Sequence, residues 1–265
     1  MLITLVVANQ KGGVGKTTTA LNLAASLSAA SRKVLLIDLD SQGNSTTGAG
    51  EEKNEDLHSL LDVMVNESDS LEKVIEETKY KFDLIPASSD LISAEIELSS
   101  LPSPTSILKK KLTDMQASYD YVVIDCPPSL NLLTINSMVA SNSVLVPLQA
   151  EFFALEGLSQ LLLTVRDIRS KINHDLKIHG IVLTMFDKRN NLSEQIEDDV
   201  RGNLGELVYD TVIPRNVRIS EAPSFSMPAL IYDHKCSGAI AYQKLAAEFL
   251  KRENQFERRI NEFKK

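Results

Sequence analysis

Tryptophan is absent from this chain and aromatic residues make up only 5% of it, so a stacking platform for single-stranded nucleic acid has little to be built from. Only two cysteines occur, Cys126 and Cys236. They lie far apart in no metal-type spacing, which argues against a zinc framework or a disulfide scaffold. No apolar run approaches the roughly 18 residues that a membrane-spanning helix needs. The N-terminus enters an apolar stretch at once, without the charged start and small-residue cleavage site of a secretory leader. The expected location is cytoplasmic. A surface that is basic all over is excluded too: 28 Lys and Arg stand against 36 Asp and Glu, a net of −8, so any nucleic-acid contact must be a local patch. His58, His174, His179 and His234 show neither metal spacing nor pairing with a nucleophile.

What the chain does have is a regular alternation of short apolar runs with helical stretches. Leu2–Ala8, Lys33–Asp38, Phe82–Ala87, Tyr121–Asp125, Ser143–Pro147, Ile178–Met185 and Leu207–Ile213 read as strands, with a weaker candidate at Ala229–Tyr232. Runs such as Val34-Leu-Leu-Ile37 and Tyr121-Val-Val-Ile124 are apolar throughout, as strands covered on both faces must be. The expected fold is therefore α/β, a mainly parallel twisted sheet with helices on both faces, with sites gathered at the carboxyl ends of the strands. Its 265 residues suffice for one large domain, read as residues 1–253, followed by a charged helical tail, 254–265.

Between the first strand and the first helical segment stands Asn9-Gln-Lys-Gly-Gly-Val-Gly-Lys-Thr-Thr18. Strand, glycine loop and helix in that order build a phosphate cradle. Gly12, Gly13 and Gly15 allow consecutive N–H groups to point at phosphate oxygens, with Val14 as spacer. Lys16 is placed to reach the terminal phosphates, the Thr17 hydroxyl to ligate Mg²⁺, and Thr18 to bond a phosphate nearer the sugar. The chain is read as a nucleotide- and Mg²⁺-binding protein. The ordinary pattern would have glycine at position 10 and asks for no lysine at 11, so Gln10 and Lys11 mark a variant loop.

Two strands end in aspartate. Asp125, ahead of Cys126-Pro-Pro, suits a carboxylate that holds Mg²⁺ through water. In Leu35-Leu-Ile-Asp-Leu-Asp40, strand alternation puts Asp38 and Asp40 on one side. One of them could orient an attacking water while the other assists the metal, indirectly, or a loop lysine.

The four segments Lys11–Thr18, Asp38-Leu-Asp-Ser-Gln-Gly-Asn44, Asp125-Cys-Pro-Pro-Ser129 and Pro214-Arg-Asn-Val-Arg-Ile-Ser-Glu-Ala-Pro223, in this order, resemble the ParA/Soj family of chromosome and plasmid partitioning ATPases. The resemblance continues through Ile231-Tyr-Asp233 and Gly238-Ala-Ile-Ala-Tyr242. It implies a deviant Walker ATPase that hydrolyses ATP and forms an ATP-dependent homodimer. In that state it would bind double-stranded DNA without sequence preference, associate with the nucleoid, and be stimulated by a ParB-type partner. It also implies that Lys11 reaches the phosphates held by the other subunit, that Asp40 supports hydrolysis, and that Pro214 and Asn216 contact adenine. DNA contact would fall at Arg189 and Arg218, with Lys188 and Arg215 beside them. Ser41, Asn131 and Ser226 depart from the proline, glycine and glycine usual in the family.

Two rival readings share the loop. A MinD-like ATPase would use a C-terminal amphipathic helix on membrane, and the stripe Leu245, Phe249, Phe256, Ile260, Phe263 with basic flanks imitates one. Glu248, Glu253, Glu257 and Glu262 dilute that charge, so membrane is not the expected partner. An iron–sulfur ATPase like the nitrogenase iron protein would need two ligating cysteines near a dimer axis, and Cys126 and Cys236 do not fit. A nucleotide-dependent scaffold without turnover is the third alternative, which Lys16 and Asp40 disfavour. The acidic stretch 51–79 reads as a solvated helical face, with docking of a basic partner segment as the sharper alternative.

Overall fold

A computed structural model describes residues 2–51, 58–115, 119–151 and 154–263. The strands are β1 (Ile3–Val7), β2 (Val34–Asp38), β3 (Glu76–Glu77), β4 (Asp83–Ile85), β5 (Tyr121–Asp125), β6 (Ser143–Gln149) and β7 (Lys177–Thr184). They form one sheet in the order β3-β4-β2-β5-β1-β6-β7, parallel except for the β3–β4 edge. The helices are α1 (Lys16–Ala29), α2 (Asn44–Gly48), α3 (Leu60–Val65), α4 (Ala94–Ser99), α5 (Ile107–Thr113), α6 (Leu132–Ala140), α7 (Ala154–Lys171), α8 (Asn191–Leu204), α9 (Val217–Glu221), α10 (Ala229–Tyr232) and α11 (Ser237–Phe263).

Strand alternation divides the core in two. Val6, Leu35, Ile37, Val122, Ile124, Val144 and Val146 point into a layer that holds α3 to α8. Leu5, Val7, Val34, Leu36, Val123, Leu145 and Val182 point into the opposite layer, against α1 and α11. Every residue of β1, β2 and β5 is buried, as a parallel sheet covered on both faces requires. The fold is thus the expected one, helices on both faces of a mainly parallel sheet.

Two expected strands are not strands. Ala229–Tyr232 is the short helix α10, begun by Pro228 with φ −61°, the backbone angle that proline supplies at a helix start. Leu207–Ile213 runs along the outer edge of β7, and its backbone meets that strand at the bridge Ile181–Val208 and through the bonds Tyr209 N–H to Ile181 O and Ile213 N–H to Leu183 O. There the Tyr209 ring occupies the space over Gly180, into which a Cβ at that position would run. The β3 edge strand goes unseen in the sequence because two glutamates carry no apolar alternation.

Helix α11 is anchored on α1 by Tyr242, whose hydroxyl lies 3.2 Å from Oγ1 of Thr19. Phe249, fully buried, stacks on the His179 ring at 4.4 Å. The expected division between residues 253 and 254 falls within this helix. Ile260 and Phe263 of the apolar stripe lie outside the residues whose side chains are described. The apolar spacing of the acidic stretch does form a helix, α3, while part of that stretch, 52–57, lies outside the described residues.

Candidate functional site

The loop between β1 and α1 is tied down from both sides. Asn9 donates through Nδ2 to the Pro147 carbonyl at 2.7 Å and accepts the Lys11 N–H at 3.0 Å, and Thr184 Oγ1 donates to the Val14 carbonyl at 2.8 Å. Gly13 and Gly15 take φ of +75° and +86°, a region that costs other residues roughly 1–2 kcal/mol. Gly15 precedes α1 without any side-chain cap, so the first-turn amides of α1 stay open to an anion at the positive end of the helix dipole. This is the geometry of a phosphate cradle.

Both lysines of the loop are already engaged. Lys16 donates to the Lys11 carbonyl at 2.9 Å, and Lys11 forms an ion pair with Glu151 at 2.6 Å, at the end of β6. Burial pulls the Lys16 ammonium below the ordinary lysine value, against the pull of Asp125 and Asp40.

Asp38 and Asp125 end the adjacent strands β2 and β5 in register. Both are fully buried. Asp38 Oδ2 accepts from Thr46 N–H and Thr46 Oγ1, each at 2.8 Å, and its Oδ1 accepts the Asp40 N–H at 3.2 Å. Asp38 therefore organises the loop that carries Asp40 and α2. Asp125 Oδ2 accepts from Ser45 Oγ at 2.8 Å, and the nearby Thr17 hydroxyl favours its charged form, while its Oδ1 is buried without a partner. Burial, and then the neighbouring Asp38 charge, push Asp125 well above the ordinary carboxylate range, and burial also raises Asp38. Cys126, buried beside them, is pushed up to about 12 by burial.

An orphaned carboxylate oxygen with a threonine hydroxyl against the same group fits a divalent cation. Among the described residues no cluster of His, Cys, Asp or Glu makes a protein-only metal cage. The donor set suits Mg²⁺ completed by phosphate and water. Asp40 is only half-buried, its Oδ1 accepting the Gln42 N–H at 3.0 Å, and sits beside Lys16 with access to solvent.

A cavity of about 260 Å³ opens next to the cradle, lined by Thr17, Thr18, Asn22, Asn44, Pro223 and Met227 among others. Pro214 and Asn216, singled out in the sequence for adenine contact, do not line it. The Asn216 carboxamide instead caps α9, accepting from Arg218 and Ile219 N–H and donating to Ser237 Oγ at 2.8 Å. Asn44, Pro223 and Met227 stand inside two of the recognised segments or just beyond one, but nothing in their spacing marks them as lining a cavity.

A bridge between Phe186 and Pro214, with the Arg215 N–H donating to the Phe186 carbonyl at 3.1 Å, sets the loop that carries Lys188 and Arg189 beside the loop that carries Arg215 and Arg218. All four are exposed. Arg189 is paired in bidentate fashion with Asp187 at 2.9 and 2.8 Å, and Arg218 with Glu221 at 2.9 Å.

Of the departures from the family pattern, Asn131 caps α6 by accepting the Thr134 N–H at 3.0 Å. Ser226 sits in the left-handed region, φ 54°, where glycine would be unstrained.

The family model described as "AAA domain" matches residues 3–178. The chain is 52% identical over 251 residues to the chromosome partitioning protein ParA of Caulobacter vibrioides, covering 94% of each chain. It is 48% identical over 244 residues to the sporulation initiation inhibitor protein Soj of Bacillus subtilis, covering 92% of this chain and 96% of that one. A crystal structure described as cobyrinic acid a,c-diamide synthase of Mycobacterium smegmatis with bound ADP and magnesium superposes with a TM-score of 0.84 at 36% identity, covering 96% of each chain.

Proposed function

The chain belongs to the ParA/Soj family of chromosome-partitioning ATPases, and from that membership we propose that it is an ATP-driven switch whose dimer holds DNA and lets go on hydrolysis. ATP and Mg²⁺ are its nucleotide and metal. The observation that carries the reading is the pairing of the open glycine cradle with the orphaned Oδ1 of Asp125 in the next strand, so that phosphate and metal sites meet.

The loop amides and Lys16 take the β- and γ-phosphates, Lys16 leaving the Lys11 carbonyl to do so. Thr17 would ligate Mg²⁺ and Asp125 would hold it through water, and the ion would offset charge on the phosphate oxygens. Asp40, reachable by solvent, orients the attacking water. The nucleoside extends from Thr18 into the cavity walled by Asn22, Pro223 and Met227.

Lys11 completes the phosphate site of a second subunit. A charge-assisted contact of that kind contributes roughly 1.5–3 kcal/mol, and its loss with the γ-phosphate separates a marginal dimer. Dimerisation doubles the Lys188, Arg189, Arg215 and Arg218 cluster, and DNA affinity rises steeply with the number of phosphates neutralised. Such contacts read no sequence. A ParB-type partner would accelerate hydrolysis, and the protein would reside on the nucleoid. Light scattering of the purified protein with and without Mg·ATP tests the dimer. A mass that doubles with ATP in wild type and not in Lys16→Ala supports the reading, and a nucleotide-independent mass removes it.

A further inference from the structure

Two isoleucines stand in solvent in the layer that holds α3 to α8. Ile92 is 78% and Ile96 77% exposed, on the turn that leads into α4 and on α4 itself. Leu130, 42% exposed, sits on the loop behind Asp125. Single exposed apolar residues are ordinary, but two so open and one turn apart are not explained by packing.

The turn and helix that carry them hold charge of one sign. No Lys or Arg occurs between Lys81 and Lys109, nor between Lys111 and Arg166. That span supplies β4, α4, the loop after β5, α6 and β6. α4 packs against α6 and α3, and of these α6 carries no charge while α3 offers Asp62. The carboxylates at the patch are Glu95 and Glu97, both exposed, with Asp90 beside them. A DNA or anionic lipid surface would be repelled here, whereas a segment that alternates cationic and apolar side chains is matched in both respects.

The patch is also wired to the catalytic loop. Glu95 Oε2 accepts the N–H of Leu132 at 2.8 Å, the first residue of α6 and the end of the loop that begins at Asp125. Displacing α4 or recruiting the Glu95 carboxylate to a partner cation changes the support of that loop.

We propose that Ile92, Ile96 and the surrounding carboxylates of α4 form the docking site for a short cationic, partly apolar segment of the partner that stimulates ATP hydrolysis, with Glu95 as the positioning residue that passes the effect to the Asp125 loop. This rests on the partitioning-ATPase reading and names the surface that reading leaves open. The patch packs on α3 and α6, whereas the basic loops follow β7, an edge strand of the sheet, so partner and DNA would use different surfaces.

The test uses the full-length protein with the ParB-type protein of the same organism, following ATP turnover on DNA as partner is titrated. In Ile92→Lys/Ile96→Lys, basal turnover and ATP-dependent DNA capture stay within twofold of wild type, while the partner concentration for half-maximal stimulation rises at least tenfold. In Glu95→Gln that concentration changes little and the maximal stimulated rate falls severalfold, a split that a merely structural role would not give. Unchanged stimulation of the double variant overturns the proposal. So does loss of its ATP-dependent dimer, which would make the patch a contact between two copies. A wild type that the partner does not stimulate overturns it as well, while the ATP-dependent DNA capture of the same samples reports separately on the partitioning reading.

Discussion

The ammonium of Lys11 lies 2.6 Å from Oε2 of Glu151 in its own chain, and the carbonyl of the same Lys11 holds the Lys16 ammonium at 2.9 Å. Without nucleotide both loop lysines are thus satisfied within one subunit. A phosphate that draws Lys16 away frees the Lys11 peptide, and Lys11 must then leave Glu151 to serve a second subunit. The pair is half-exposed, and such pairs contribute about 1 kcal/mol or less. Glu151→Gln should therefore lower, by up to about fivefold, the concentration of Mg·ATP at which the dimer forms, measured by sedimentation velocity. A higher requirement would show that Glu151 serves the dimer rather than holding Lys11 back.

Substitutions in the cradle should separate binding from turnover. Lys16→Ala should abolish ATP binding in calorimetry. Asp40→Ala should keep ATP and accumulate dimer, because Asp40 sits beside Lys16 without holding the loop as Asp38 does. Rapid hydrolysis by Asp40→Ala would move the water-orienting role elsewhere.

The fold and the backbone of the glycine loop were largely legible in the sequence, because fully buried parallel strands are apolar end to end and glycines at Gly13 and Gly15 mark backbone that other residues avoid. β1, β2 and β5 fall where their apolar runs end. Short elements were not legible: four residues at Ala229–Tyr232 are too few to show a period, and Leu207–Ile213 is apolar because Val208, Tyr209 and Ile213 pack inward, not because it joins the sheet. Contacts across the fold, such as Lys11 with Glu151 or Glu95 with Leu132, leave no mark in local pattern.

Neutralisation of the basic cluster by its own carboxylates makes a two-sided prediction. Arg189→Ala/Arg218→Ala should weaken DNA capture and flatten its salt dependence, by about one unit of slope for each DNA phosphate that a subunit no longer neutralises. Asp187→Asn, which releases the Arg189 guanidinium, should strengthen capture. DNA affinity indifferent to all three changes would place the DNA-binding surface elsewhere.

Ser226 in the left-handed region should be costing stability. Ser226→Gly keeps the backbone bond to the Pro223 carbonyl and should raise stability by about 1 kcal/mol, read as a shifted denaturant midpoint with unchanged slope. A destabilised variant would mean that the serine side chain compensates the strain.

Attachment of α11 should depend on pH. His179 is buried between Phe249 and Tyr209, with Nε2 2.9 Å from Glu253 Oε1 but without an aligned hydrogen bond to it. Burial holds the imidazole below its ordinary value of 6.5, against the pull of Glu253. The unfolded chain then binds more protons as pH falls through 6.5, so stability is present above that value and is lost below it. Thermal melts between pH 7.5 and 5.5 should show this loss in wild type and less of it in His179→Phe. Equal slopes would clear His179.

The most direct test of the switch is co-sedimentation of Asp40→Ala with non-specific duplex DNA and, separately, with anionic liposomes, each with and without Mg·ATP across a salt series. DNA capture that needs ATP and fades with salt, with no liposome binding, is the predicted result. ATP-dependent liposome binding without DNA capture would contradict it and give the function to the α11 tail.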